Sequence, residues 1–418
     1  MTIRKEISAV KTRSSVRFVL ACVFLDALGV GLIVPVLPRL IGTLSETRDL
    51  QVWWYGAIMV SYGLMQFVSA PLLGYLSDRF GRRPVLLVGI LGLGLTFAVP
   101  AFFASLPLIL ASRIVGGALS ANLTVAQAYV ADLTSGDERT VMFGRVGAVF
   151  GIGFVLGPAL GGFAGESDPS FPFLLAFFLA LCNFFYGLRF LPESLATTAR
   201  ESDISTTRNA FLALPKLLSK REMRPFFFVF AIVSLAIALL QCTWALYTEY
   251  RYGFTPLAIG LSIFALGASM SWVQGGILAW LLRRYPASKI LAFSILLSAV
   301  CLAGIALADN GLLASIFCCA YAISAVVSPV ITSAVSRLTD ARDQGQNIGA
   351  LNSLVSLMSA LAPLLGTPLL GFVIHGNSPL QLGAPYFAAS LLMLLALALF
   401  LKSISKKIDT SKEENCNF

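Results

Sequence analysis

Charge is what this sequence has least of. Asp, Glu, Lys and Arg make up only 12% of its 418 residues, where a soluble globular chain carries roughly 25%. That shortage excludes an ordinary water-soluble domain. Histidine is almost missing as well: His375 is the single one, which excludes a histidine-built metal centre and a Ser-His triad. Of seven cysteines, six fall inside apolar runs (Cys22, Cys182, Cys242, Cys301, Cys318, Cys319) and Cys416 lies in the tail. None has the spacing of a metal site or a disulfide framework. The apolar runs hold no activated nucleophile, metal cluster or paired carboxylate, so the chain does not read as an enzyme. The net charge of +9 is scattered between apolar runs and forms no stripe, so nucleic acid is not indicated as a partner.

What is there instead is hydrophobic sequence, 57% of the chain, with a mean hydropathy of +0.83. Bilayer-length runs of about 20 residues lie near 18–38, 53–76, 85–104, 108–131, 143–165, 172–191, 225–247, 257–281, 289–308, 312–336, 347–374 and 385–402. The first is too long for the apolar core of a signal peptide and reads as a retained helix. The expected fold is an all-α polytopic membrane protein with twelve transmembrane helices. Only one long polar connector interrupts them, over 192–224. The expected organisation is a six-helix half over 1–191, a cytoplasmic linker over 192–224, a second six-helix half over 225–402, and a cytoplasmic tail over 403–418.

Basic residues mark alternate loops: Arg79, Arg82 and Arg83, then Arg139, then the 192–224 connector, then Arg283 and Arg284, then Arg337 and Arg342. The opposite loops hold only Arg39, Arg48 and Arg251. By the positive-inside rule both termini and the linker face the cytoplasm. The halves also echo each other. GYLSDRFGRRP (74–84) aligns without gaps with GILAWLLRRYP (276–286), and GPALGGF (157–163) resembles GTPLLGF (366–372). Two six-helix halves with weak mutual similarity are the mark of an alternating-access transporter, with protons, a small-molecule substrate and the lipid bilayer as its partners.

Two charges lie clearly within the spans. Asp26 sits inside FVLACVFLDALGVGLIVPVLP and Arg113 inside LILASRIVGGALSAN. A charge at mid-membrane costs about 2.5–3.5 kcal/mol even on the lenient insertion scale, so such residues pair with each other or mark an ion path. Asp26 is therefore the candidate for binding a proton or a cationic substrate, with Arg113 tuning it; a purely structural Asp26–Arg113 pair is the alternative. In the 74–84 loop, Gly74 is expected to allow close helix approach and Asp78 to cap the third helix or meet its positive end. Arg79, Gly81, Arg82 and Arg83 complete that loop. In the fifth span Gly153, Gly157, Gly161 and Gly165 recur every fourth residue, giving a groove for a neighbouring helix. Pro158 and Gly162 lie within the groove. Gln66, Asn122, Gln127, Gln241, Trp244 and Gln274 are polar or aromatic side chains that could line a cavity or join helices.

With these motifs in view, the chain resembles the major facilitator superfamily. GYLSDRFGRRP is similar to its signature loop, SRIVGG to its fourth-helix arginine segment, and GFVLGPALGG to the motif of the drug–proton antiporter branch. LDALGVGLIVPVLP and FGRVGAVFGIGFVLGPALGGFAGE resemble the bacterial tetracycline-efflux proteins almost phrase by phrase. The resemblance implies that Asp26 is the helix-one carboxylate and Arg113 the helix-four arginine. It also implies gating by Gly74, Asp78 and Arg82, the antiporter motif at Gly157 and Pro158, and a proton gradient rather than a bound cofactor as the driving force. The ninth span, LAFSILLSAV (291–300), lacks that group's carboxylate. The eighth, LGASMSWVQ (266–274), lacks its histidine but keeps Gln274. These departures point to the same machinery with another cargo, an endogenous metabolite such as a siderophore or sugar being one alternative. A non-transporting receptor or assembly partner on the same fold is the reading from another class.

Overall fold

Twelve helices in the computed structural model are long and apolar enough to cross a membrane, and the described residues contain no strand. The structure describes residues 2–120, 122–134, 136–195, 224–337, 344–375 and 378–403. Most of the expected linker and nearly all of the tail therefore lie outside the described residues. In chain order the spans are α1 (Val16–Ile33), α2 (Arg48–Phe80), α3 (Arg82–Phe102), α4 (Leu106–Leu133), α5 (Val141–Ala164) and α6 (Phe171–Phe190). The second six are α7 (Arg224–Tyr252), α8 (Pro256–Arg284), α9 (Ala287–Leu307), α10 (Gly311–Val335), α11 (Ala350–His375) and α12 (Ala384–Lys402).

The first span ends earlier than the hydropathy suggests. Its helix stops at Ile33, a turn covers 34–36, and a short helix, Leu37–Thr43, follows. Pro35 has no amide to continue the ladder, and Pro38 sits in the first turn of the new helix, where the missing amide costs nothing. Apolarity continued past a point where the backbone did not.

The chain divides into two compact units. The first comprises 1–46, 61–208 and 255–261, the second 47–60, 209–254 and 262–418. Each has the same internal plan. In the first unit α1 packs on α5 and α6, and α3 packs on α6 and α4. In the second, α7 packs on α11 and α12, and α9 on α12 and α10. Adding six to each helix number converts one list into the other, which is the repeat expected from the 74–84 and 276–286 segments. The second unit includes the start of α2 because Tyr55 donates to the Cys242 carbonyl at 2.8 Å and Tyr250 to Gln51 Oε1 at 2.6 Å.

Glycines set the closest packing. A Cβ on Gly157 would lie 2.6 Å from the Cα of Gly31, and one on Gly161 would overlap the Leu32 backbone. Gly153 faces Phe24 and Ala27, and Gly165 faces Val36. The four-residue spacing thus does form a groove, and α1 fills it. Gly162 turns instead to Pro256 and Leu257. The helix runs unbroken through Pro158. Gly74, in contrast, has open space beside it. Among the described residues no backbone comes close to it, which corrects the close approach expected there.

Three spans depart from α geometry. In α4 the helix Leu106–Leu119 ends at Ser120 (φ −85°, ψ 9°), and a second segment begins at Asn122. A π-turn interrupts α8 over Val273–Ile277, and a 3₁₀ stretch interrupts α10 over Tyr321–Val326. Such interruptions in membrane helices gather at functional positions.

Candidate functional site

Asp26 lies on the face of α1 that also carries Val19, Cys22 and Val23, at i, i+3, i+4 and i+7 spacing. This face lines a crevice inside the first unit, completed by Leu86 and Ile90 of α3 and Asn122 of α4 among others. The crevice has free space for about one water molecule. The half-buried carboxylate accepts a hydrogen bond at its Oδ1 from Asn122 Nδ2 at 3.1 Å. Asn122 opens the second segment of α4, so the positive end of that segment also lies on the carboxylate's side.

Arg113 is not the partner of Asp26; no ion pair joins them among the described residues. Its Nη2 donates to the Thr96 carbonyl at 3.3 Å, and its guanidinium lies 5.4 Å from the centre of the Phe97 ring. Both partners belong to α3. Arg113 is only 3% exposed, and its Nε has no hydrogen-bond partner. The reason is spacing. Arg113 and Asn122 are nine positions apart in α4, a rise of about 13 Å, and Asp26 is held at the Asn122 end. A desolvated cation–π contact contributes about 2 kcal/mol, which offsets part of the cost of the buried guanidinium. Tyr62 of α2 lies near both charges. Its hydroxyl hydrogen-bonds Ser120 and lies within electrostatic reach of both Arg113 and Asp26. Tyr62 escaped the sequence reading; its signal was a phenol one turn before Gln66 in an apolar run.

The 74–84 loop forms a compact cluster. Gly81 takes φ 104°, ψ 155°, a conformation that favours glycine, and this turns the chain from α2 into α3. Arg82 is 8% exposed. It meets Asp78 at 2.5 Å, Asp132 of α4 at 3.1 Å and Ser77 Oγ at 2.6 Å. Asp78 therefore does not cap α3, as expected from sequence; its carboxylate is taken by the arginine one turn on. The cap comes from Glu193, just past α6, whose two oxygens accept from the amides of Arg82 (2.9 Å) and Arg83 (3.3 Å). Arg83 Nη2 also donates to the Leu188 carbonyl at 2.6 Å. Arg79 stays exposed, its guanidinium 5.7 Å from the Phe80 ring centre. Glu193 and Asp132 were missed; the cue was a carboxylate in LPES directly after a span.

The remaining polar candidates scatter. Gln66 and Gln241 are exposed, and Gln127 is half-buried. Trp244 is buried, its Nε1 donating to Ser262 Oγ at 2.8 Å and its ring edge-on to Tyr386, so it joins helices inside the second unit. Gln274 lies within the π-turn of α8, where its amide reaches the Ala325 carbonyl of the interrupted α10 at 3.4 Å.

Comparison with known proteins agrees with this architecture. The family model "Major Facilitator Superfamily" matches residues 19–363. The tetracycline resistance protein, class C, of Escherichia coli is 33% identical over 359 residues, 85% of this chain and 90% of that protein. Its class B counterpart, also from Escherichia coli, is 31% identical over 357 residues, 84% and 87% of the two chains. Among solved structures, the human organic anion transporter MFSD10 (TETRAN) superposes with a TM-score of 0.67 at 25% identity, covering 93% of this chain and 99% of that one. On the family match and the shared twelve-span fold, this chain belongs to the Major Facilitator Superfamily and is a membrane transporter, not an enzyme.

Proposed function

We propose that this protein is a proton-coupled exporter of a small organic molecule of drug or antibiotic type, working by alternating access in a bacterial inner membrane with both termini in the cytoplasm. The observation that carries the reading is the half-buried carboxylate of Asp26, held at the interruption of α4 and opening on a crevice with space for about one water. Asp26 takes a proton from the outside and releases it to the cytoplasm, and the two protonation states favour opposite-facing conformations. The tetracycline resistance relatives support an antibiotic-type cargo, and the organic anion transporter at 25% identity supports including anions in any panel. The driving force is the proton gradient, without a bound cofactor.

One inward proton releases about 2.3 kcal/mol per 100 mV of membrane potential. Spent one-for-one on an electroneutral cargo, that sustains a concentration ratio on the order of 50-fold, since 1.4 kcal/mol is a factor of ten. The test uses inside-out vesicles with an acid interior and a pH-sensitive dye, adding tetracycline, other lipophilic antibiotics, organic anions and siderophores in turn. Cargo-dependent alkalinisation of the interior supports antiport and identifies the cargo class. Silence toward the whole panel, with the protein present and folded, rejects the reading.

In the same framework the Arg82 cluster holds the cytoplasmic gate. Asp78→Asn removes one of the two carboxylates on Arg82 and is expected to lower maximal turnover about tenfold or more, a loss of about 1.4 kcal/mol or more, with little change in substrate affinity. Steady-state kinetics separate the two effects; unchanged maximal rate with weakened binding contradicts the assignment. Glu193→Ala leaves two amides of α3 uncapped and is expected to destabilise the first half by about 1 kcal/mol, read as a lower thermal midpoint in detergent.

A further inference from the structure

The negative charge of Asp26 is met from α4, through a side chain whose position depends on a glycine in a third helix. Asn122 is 6% exposed and donates Nδ2 to Asp26 Oδ1 at 3.1 Å. Its other terminal atom, Oδ1, lies against Gly89 of α3, where an added Cβ would overlap it and would also crowd the Leu119 carbonyl at 3.2 Å. An ionised carboxylate only accepts hydrogen bonds, so the amide nitrogen must face it and the oxygen must face Gly89. The absent side chain at Gly89 is thus the space in which the Asn122 amide sits.

We propose that Asn122, seated by Gly89, is the positioning residue that holds Asp26 ionised and aimed into its crevice. The carbonyl oxygen of a neutral acid could still accept from the same amide N–H, but the charge-assisted bond is about twice as strong, so the amide favours the ionised form. The titratable and charged groups facing Asp26 are few. Cys22 lies one turn away on α1 and Tyr62 approaches from α2, while Arg113, on the far segment of α4, faces Tyr62. To the crevice itself α3 brings Leu86 and Ile90 and α5 brings Phe150, and Leu191 closes it just beyond α6. No second strong donor to the carboxylate is among them. The inference rests on the exporter reading only for its consequence, namely that proton release to the cytoplasm depends on Asn122.

The test reads the carboxyl group directly, without cargo or turnover. Purified protein in lipid nanodiscs is titrated while the infrared stretch of the protonated carboxyl is followed; the Asp26 contribution is the part lost in Asp26→Asn. Asn122→Leu keeps the branched shape without the amide, and Gly89→Ala evicts the amide from its seat. Both are expected to keep the protonated band to a pH about one unit or more above wild type. The double variant is expected to shift no further than the larger single one, because both act on the same bond. If Gly89→Ala does not fold, Asn122→Leu and Asn122→Ala decide. An unmoved midpoint in the folded Asn122 variants, or fully additive shifts, overturns the proposal. A silent cargo panel with a shifted midpoint instead rejects the exporter reading and leaves this one standing.

Discussion

Asp26→Asn is expected to reduce cargo-driven proton movement to the level of vesicles without the protein, while expression and membrane insertion stay normal. Asparagine has nearly the shape of aspartic acid and keeps a partner for the Asn122 amide, which lies 3.1 Å from Asp26 Oδ1. What it cannot do is ionise. The variant mimics one protonation state permanently, so steps that do not require release of the proton should survive, including exchange of labelled for unlabelled cargo across the membrane. Removing a charge that costs about 2.5–3.5 kcal/mol at mid-membrane should also raise stability slightly. Wild-type proton coupling in Asp26→Asn would remove this carboxylate from the mechanism.

The second large effect is structural. Gly161→Val places side-chain atoms where the Leu32 backbone already stands, and Gly157→Val does the same against the Cα of Gly31. Overpacking costs about 1–3 kcal/mol where neighbours can shift. Here the obstacle is the backbone of α1, which also carries Asp26, and packing is what holds membrane helices together. Each variant is expected to lower the thermal midpoint by about 5 °C, on the order of 2–4 °C per kcal/mol for a unit the size of one half. Gly151→Ala, on the same helix with open space beside it, is the control and is expected to be neutral. Equal effects at Gly151 and Gly161 would mean that the α1–α5 groove does not govern stability.

These two residues also show how far the sequence could be read. The groove was legible because a four-residue glycine spacing is a local pattern, and its helical face follows from 3.6 residues per turn. Gly74 looked the same in isolation, yet a Cβ there would touch nothing among the described residues; whether a small residue is crowded depends on a neighbour the local sequence does not specify. Asp26 and Arg113 stood out because charge is rare in apolar spans. Their separation did not, because it depends on which residue of α4 meets Asp26, and that is Asn122, nine positions past Arg113. The cap on α3 was hidden for a different reason. Glu193 lies 111 positions from the Arg82 amide it accepts, so no window of sequence contains both. The twelve spans were legible from hydropathy alone. The end of the first was misjudged by several residues because Pro35 broke the ladder within apolar sequence.

The most direct test of the central claim uses proteoliposomes containing only this protein, with equal pH inside and out. A gradient of whichever compound responded in the vesicle panel is imposed, and internal pH is recorded. Coupled antiport predicts that cargo flowing down its gradient drives protons the opposite way, producing a pH gradient that Asp26→Asn does not produce. Cargo movement with no change in internal pH would show transport without proton coupling and contradict the account.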